Sequence, residues 1–436
     1  MRGACAAPQS AQSGGRASVD RKAKRLSRSG CKTGSRRMTR FGALLVASTL
    51  ALMPAAARAQ DAVKIGILND QSGNYAEFGG LGSVEAAKLA IADFGGSVLG
   101  KPIEIVSADH QNKPDIAVGL ARRWYDVDGV TAIADLTNSA VALGVASLAR
   151  EKQKIALYNG PATTRLFNED CTATGFMWTF DTATSAKGTA VSVLREGGDS
   201  WFIISADYAF GHQLTADIET IVKANGGKTL GTVRAPLGTP DFSSFLLQAQ
   251  ASKAKIVAFA NAGTDTINSI KQAGEFQLVD GGQKLVAMVV VLSDVHGLGL
   301  DKAKGLITTT AYYHDADKPS RDFADRYRAK TGKMPGMIQA SVYSSVLHYL
   351  RAVKAAGTAA GPAVAAKMRE LPVDDFYAPG AKIREDGRLM NDMLLVEVKK
   401  PAESKAPWDY FKVVRKIPAA EIIAPLSESK CGLVKK

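Results

Sequence analysis

Short apolar runs alternate with amphipathic stretches along most of this chain. Runs rich in Val, Ile and Ala predict strands at 63–68, 103–107, 130–134, 154–158, 201–205, 228–234, 256–260, 285–291 and 306–310. Between them, apolar residues recur at helical spacing over 83–93, 115–126, 139–152, 185–195, 211–225, 242–251 and 265–273, with further helices at 320–331 and 337–355. Strand–helix alternation at this spacing predicts an α/β chain of parallel βαβ units with helices on both faces of each sheet. Two extended aromatic stretches, 176–181 and 308–313, read as crossings between two bodies. A hairpin is expected where Asp386-Gly387 separates strand-like residues within 382–389.

The first 59 residues do not share this pattern. Arg36, Arg37 and Arg40 precede a 13-residue apolar run from Phe41 to Met53, and Ala57-Arg58-Ala59 follows as a small-x-small site. This is the layout of a cleavable export signal with cleavage near Ala59, and it predicts a mature protein outside the cytoplasm, the periplasm being the expected compartment. The apolar run falls short of the roughly 20 residues that span a bilayer, which disfavours the alternative of a membrane anchor. Met38 is an alternative start to Met1, residues 1–37 then being an upstream extension.

Charge and cysteine content change meaning once that segment is set aside. It carries 12 of the 55 basic residues and one of the 42 acidic ones, leaving 43 against 41. The formal charge of +13 is therefore no sign of nucleic-acid binding. Cys5 and Cys31 leave with the signal. Cys171 and Cys431 remain, and in an oxidising compartment they are expected to pair, two free thiols being the alternative.

Loops at the carboxyl ends of parallel strands are where α/β proteins hold ligands. In the first half these are 69–79, 135–139 and 159–164, where Asn138, Ser139 and Thr163 with neighbouring backbone amides suit a carboxylate at a helix N-terminus. In the second half they are 206–211, 261–265 and 293–296. Tyr208 and Phe210 offer stacking surface, and Asp294 offers a partner for an ammonium group. Asn138, Ser139, Thr163 and Asp265 can equally be helix caps that serve only their own backbone. Catalytic and cofactor motifs are missing: there is no H-E-x-x-H, C-x-x-C, G-x-S-x-G or phosphate-binding glycine loop, and the five His stand apart. Gly80-Leu81-Gly82-Ser83-Val84-Glu85 departs from a dinucleotide fingerprint at its third glycine. No cofactor and no metal are expected.

The opening V-K-I-G-I-L-N-D-Q-S-G-N-Y-A-E-F-G, followed by A-A-K-L-A-I-A-D-F, resembles the branched-chain amino-acid (Leu/Ile/Val) binding-protein family. D-Y-A-F-G-H-Q-L at 207–214, D-F-S-S-F-L-L-Q-A-Q at 241–250, A-F-A-N-A-G-T-D at 258–265 and I-K-Q-A-G at 270–274 extend the resemblance over 62–436. These are type I periplasmic solute receptors of ABC importers. The resemblance implies two Rossmann-like lobes, 61–181 with 311–390 and 182–310 with 391–436, joined by three hinge strands around a ligand cleft. It implies carboxylate contacts at Asn138, Ser139 and at Gly160, Pro161, Ala162 and Thr163. Phe78 and Phe210 supply aromatic walls, and Asn261, Ala262 and Asp294 the remaining second-lobe contacts. Asn138 stands where such amino-acid binders usually carry Ser. Members with similar motifs capture aromatic or aliphatic carboxylates, and some recognise amides. The expected protein is monomeric and non-enzymatic, and it passes a small solute to a membrane permease. A periplasmic sensor for a membrane signalling protein is the alternative, and an enzyme on the same scaffold a remoter one.

Overall fold

The parallel βα units expected from the sequence form two separate sheets in the computed structural model, which describes residues 62–435. The export segment lies outside the described residues. In chain order the first half contains β1 (Val63–Asn69), α1 (Gly80–Phe94), β2 (Ser97–Val98), β3 (Lys101–Asp109), α2 (Pro114–Arg123), β4 (Val130–Asp135), α3 (Ser139–Lys152), β5 (Ile155–Tyr158) and β6 (Gly175–Met177). The second half contains α4 (Thr182–Arg195), β7 (Ser200–Ala206), α5 (Ala209–Ala224), β8 (Lys228–Ala235), α6 (Ser243–Ala251), β9 (Ile256–Ala260), α7 (Thr264–Glu275), β10 (Lys284–Ala287), α8 (Leu292–Leu298), α9 (Leu300–Ala303) and β11 (Ile307–Thr310). Then follow α10 (Lys318–Thr331), α11 (Met337–Ala356), α12 (Gly361–Glu370), β12 (Met393–Val398), β13 (Phe411–Ile417) and α13 (Ala419–Ile422).

The first sheet runs β2-β3-β1-β4-β5-β6 and the second β10-β9-β7-β8. Strands β5, β7 and β9 are buried along their whole length, as strands covered by helices on both faces must be. In each sheet the chain starts at an inner strand, adds a neighbour on one side, then returns to add the next on the other. The order reverses between β1 and β4 in the first sheet and between β7 and β9 in the second, and crevices open at such switch points. A third, antiparallel sheet, β11-β12-β13, completes the second half. Long α11 returns to the first half, where its Gln339, Ser341 and Ser345 bond to residues of the first sheet and its loops.

The chain thus passes between the two sheet systems after β6, after β11 and before β12. Buried polar contacts tie two of these passages together. Arg388 Nε donates to Asp181 Oδ2 at 3.0 Å, its Nη1 donates to Asn391 Oδ1 at 2.9 Å, and Asn391 Nδ2 donates to the Thr179 carbonyl at 3.0 Å. The expected hairpin at 382–389 forms, with Arg384 N donating to the Arg388 carbonyl, and it pairs with Met177 at the edge of the first sheet. Cys171 and Cys431 are bonded, with Cα atoms 5.6 Å apart, and fasten the C-terminal segment to the first half.

The expected strand at 285–291 is shorter than predicted. Its ladder with β9 ends at Ala287, and 288–291 continue without partners of strand type before α8 begins. The segment 293–296, expected as a loop, is therefore helical. The helix expected over 115–126 ends at Arg123 and passes into one wider turn, Trp124–Asp128, closed by Gly129. No described helix is long and apolar enough to cross a membrane.

Candidate functional site

Both switch-point crevices face each other, and the loops that build them are held by buried polar groups. After β1, the Asp70 carboxylate is fully buried and accepts the backbone N–H groups of Gly73 (2.7 Å) and Tyr75 (2.8 Å) and a side-chain N–H of Asn112. That knot turns Tyr75 and Phe78 toward the crevice. After β4 the backbone takes three positive φ values, at Asp135, Leu136 and Asn138, to bring the start of α3 under the same space. Asp135 is buried there, and burial raises its pKa even though Thr137 Oγ1 (2.5 Å) and Asn69 Nδ2 (2.7 Å) donate to it. Gly160, after β5, leaves no room for a side chain, since a Cβ would lie 2.3 Å from Thr137 Oγ1.

The resulting crevice is walled by Tyr75, Phe78, Thr137, Asn138, Ser139, Gly160, Pro161, Ala162 and Phe180 on one side and Tyr208, Phe210 and Ala262 on the other. The crevice has an empty volume of about 260 Å³, counted together with the open solvent at its mouth. Five of the walls are aromatic, with neighbouring ring centroids 5.9 to 6.4 Å apart. None is a Lys, Arg, Asp or Glu. At one end the Ser139 hydroxyl lies 3.4 and 3.3 Å from the backbone nitrogens of Ala162 and Thr163, beside the first turn of α3. Elsewhere in the wall the Tyr75 and Tyr208 hydroxyls meet across the crevice at 2.7 Å. Burial raises the pKa of both phenols, so each keeps its proton. Such a chamber suits a small, flat, apolar body with one anionic end.

The structure brings together Phe78, Asn138, Ser139, Gly160, Pro161, Ala162, Tyr208, Phe210 and Ala262 as the sequence suggested. Asn138, however, spends its side chain on its own helix. Its Oδ1 accepts from Ala140 N (2.9 Å) and Val141 N (3.2 Å), and its Nδ2 donates to Asn112. Thr163 lies behind the wall, and its hydroxyl accepts weakly from Arg165 N at 3.4 Å. Asn261 is also behind it, bonded to Ser269 and Thr266 of α7. Asp294 is not brought to the crevice. It is buried in the first turn of α8, where Oδ2 accepts the Val291 N–H at 3.0 Å. Sequence reasoning missed Tyr75, Thr137 and Phe180. Tyr75 and Thr137 sit in loops it had singled out, and Phe180 ends the aromatic crossing 176–181.

Burial pushes the Asp294 carboxyl up to about 7, against one stabilising backbone donor. An unfolded Asp ionises near pH 4, so between about pH 4 and 7 the unfolded chain holds fewer protons here than the folded one, and stability falls as pH rises through that window. Asp294→Asn keeps the acceptor and removes the titration. Relative to this variant, the wild type is expected to lose melting temperature between pH 5 and 8; parallel curves for the two proteins would show that the carboxyl stays ionised in the fold.

Among the described residues no group of His, Cys, Asp and Glu is placed to hold a metal. Two α/β halves that face each other across a lined crevice define a protein built to enclose a small solute. The family model for periplasmic binding proteins matches residues 62–405. A crystal structure of a periplasmic binding protein from Burkholderia mallei is 50% identical, with a TM-score of 0.84 over 86% of this chain and 100% of that one. A branched-chain amino-acid ABC transporter periplasmic ligand-binding protein from Burkholderia xenovorans LB400 is 40% identical, with a TM-score of 0.76 over 85% and 99% of the two chains. The Leu/Ile/Val-binding protein homolog 6 of Brucella melitensis is 27% identical over 299 residues, 66% of this chain and 74% of that protein. The chain belongs to the periplasmic binding protein family, whose members bind solutes and are not enzymes.

Proposed function

We propose that this protein is the solute receptor of an ABC importer and that its solute is a small carboxylate with a flat, apolar or aromatic body. The crevice supports this reading: it sets the Ser139 hydroxyl and the Ala162 and Thr163 amides at one end of a chamber of five aromatic rings, with no charged side chain in its walls. A carboxylate entering there displaces the long contacts within that cluster and gains the field of the α3 N-terminus. An α-amino acid would bring an ammonium group into a wall without a carboxylate, and burying that charge unpaired is costly. The relative from Burkholderia xenovorans supports the assignment to an importer.

The halves then act as lobes, 61–181 with 311–390 and 182–310 with 391–436, that hinge at the three passages and shut on the solute. The shut form is what the membrane permease meets. The monomeric mature protein works in the periplasm, delivered there by the export segment.

Thermal shift of the mature chain with benzoate, a short branched fatty acid and L-leucine tests the solute class. Benzoate at about 100 times its Kd is expected to stabilise by about 2.7 kcal/mol, and Ser139→Ala to weaken its binding at least about tenfold with the ligand-free melting temperature unchanged. Stabilisation by L-leucine alone would overturn the reading of a flat carboxylate without an ammonium group.

A further inference from the structure

The loop after β1 reaches over to the second half, and one residue makes most of that reach. The Asn74 carbonyl accepts the backbone N–H of Thr264 (3.1 Å) and the Thr264 hydroxyl (3.3 Å). Its side-chain Oδ1 accepts the N–H of Asp265 (3.1 Å), and its Nδ2 donates to the Ala262 carbonyl (3.2 Å). Thr264 and Asp265 open α7, where amides have no acceptor inside the helix. Asn74 therefore supplies, from the opposite half, acceptors that the helix itself lacks.

Both sides of this contact are prepared for it. On the first half, Asp70 pins Gly73 and Tyr75 on either side of Asn74. On the second, Gly263 adopts φ 63° and ψ −137°, a conformation open essentially to glycine alone. A Cβ there would lie 2.4 Å from the Asn74 carbonyl oxygen and 2.9 Å from the Tyr75 ring. Asn74 itself is not among the crevice walls. Its bonds join the two halves without spending any contact on a solute.

We infer that Asn74 is the latch of the closed receptor, a positioning residue whose bonds to residues 262–265 form when the lobes meet and set how readily they stay together. This inference rests on the two-lobe receptor reading above. A ligand's observed affinity carries the free energy of closure within it, so loosening the latch taxes every solute by one common factor. Gly263 is the matching half of the device, since any side chain there wedges the lobes apart.

Hydrogen–deuterium exchange of the mature chain, read on peptides covering 261–268 and 139–165, tests this with and without millimolar benzoate. In the wild type, benzoate is expected to slow exchange of the Thr264 and Asp265 amides by at least about tenfold. Asn74→Ala removes the side-chain bonds to Asp265 and Ala262 but keeps the backbone carbonyl, so it is expected to abolish the protection of the Asp265 amide and reduce that of Thr264. Gly263→Ala is expected to abolish both, while later amides of α7 keep theirs. Both variants should weaken benzoate and 4-hydroxybenzoate each by one common factor, Asn74→Ala at an unchanged melting temperature without solute and Gly263→Ala at a lower one, because its backbone is strained in either state. Full protection of 264–265 in the solute-free wild type, equal exchange in wild type and Asn74→Ala under every condition, or a loss confined to one solute would overturn the latch. If benzoate protects neither peptide, the solute class is wrong. The latch is then read without solute, where Asn74→Ala must exchange faster at 264–265 than the wild type.

Discussion

Replacing Arg388 with Ala is expected to destabilise the protein by about 3–5 kcal/mol, read as a fall in the urea midpoint at constant slope. The side chain is fully buried, and its guanidinium serves Asp181, Asn391 and the Leu389 carbonyl at once. Truncation leaves the Asp181 carboxylate, 1% exposed, without its paired cation. That uncompensated charge is most of the expected loss; the pair itself, relative to an apolar substitute, adds little. Asp181→Asn in the same background should therefore recover a substantial part, because an amide carries no charge and still caps α4 through Thr184 N. A double variant no more stable than Arg388→Ala would place the cost in lost packing instead, for which the Arg388 guanidinium 6.0 Å above the Phe167 ring is the candidate. A loss below about 1 kcal/mol would mean that water reaches Asp181 once the arginine is gone.

Reduction of the Cys171–Cys431 bond is the second large expected effect. The bond spans 260 residues, for which chain entropy alone assigns roughly 5 kcal/mol, with measured values more often 2–4 kcal/mol. The segment it holds is otherwise attached through Lys430 N to Asn168 Oδ1, an exposed Lys430–Glu169 ion pair, Arg384 Nη1 to the Ala424 carbonyl (2.6 Å), Lys187 Nζ to the Glu421 carbonyl (2.6 Å) and the buried side chains of Ile422 and Ile423. Dithiothreitol, or Cys431→Ser, is expected to lower the melting temperature by several degrees. An unchanged melting temperature with faster proteolysis near residue 425 would show that the tail peels off alone and leaves the body at full strength. Two free thiols in the untreated protein would show that the bond does not form.

The sheet framework was readable because parallel strands buried on both faces are nearly continuous apolar runs, and 63–68, 201–205 and 256–260 stand out as such. Once those strands are placed, their following loops are the candidate site with no further information, which is why Ser139, Gly160 and Phe210 were found. Which side chains turn inward was not readable in the same way. Tyr75 points into the crevice because Asp70, five residues earlier, gathers the intervening amides, and no local pattern announces that knot. Phe176, Trp178 and Phe180 share one aromatic stretch, yet only Phe180 lies at the end of the passage where the crevice begins. Asp294 failed for another reason. The apolar run 285–291 has the composition of one strand, but β9 offers a partner only as far as Ala287, and the residues after it cap a helix too short to show a period.

The bridge between Cys171 and Cys431 also fixes an order of events in the making of the molecule. Synthesis proceeds from the amino end, so one sulfur must wait as a bare thiol while the 260 positions up to its partner are added. The first half cannot be sealed to the segment around Cys431 until that segment has arrived. A truncated product, however well its sheets form, is left with an orphan cysteine that is open to foreign oxidants and to other chains. The covalent clasp thereby distinguishes molecules that reach Cys431 from those that stop short of it.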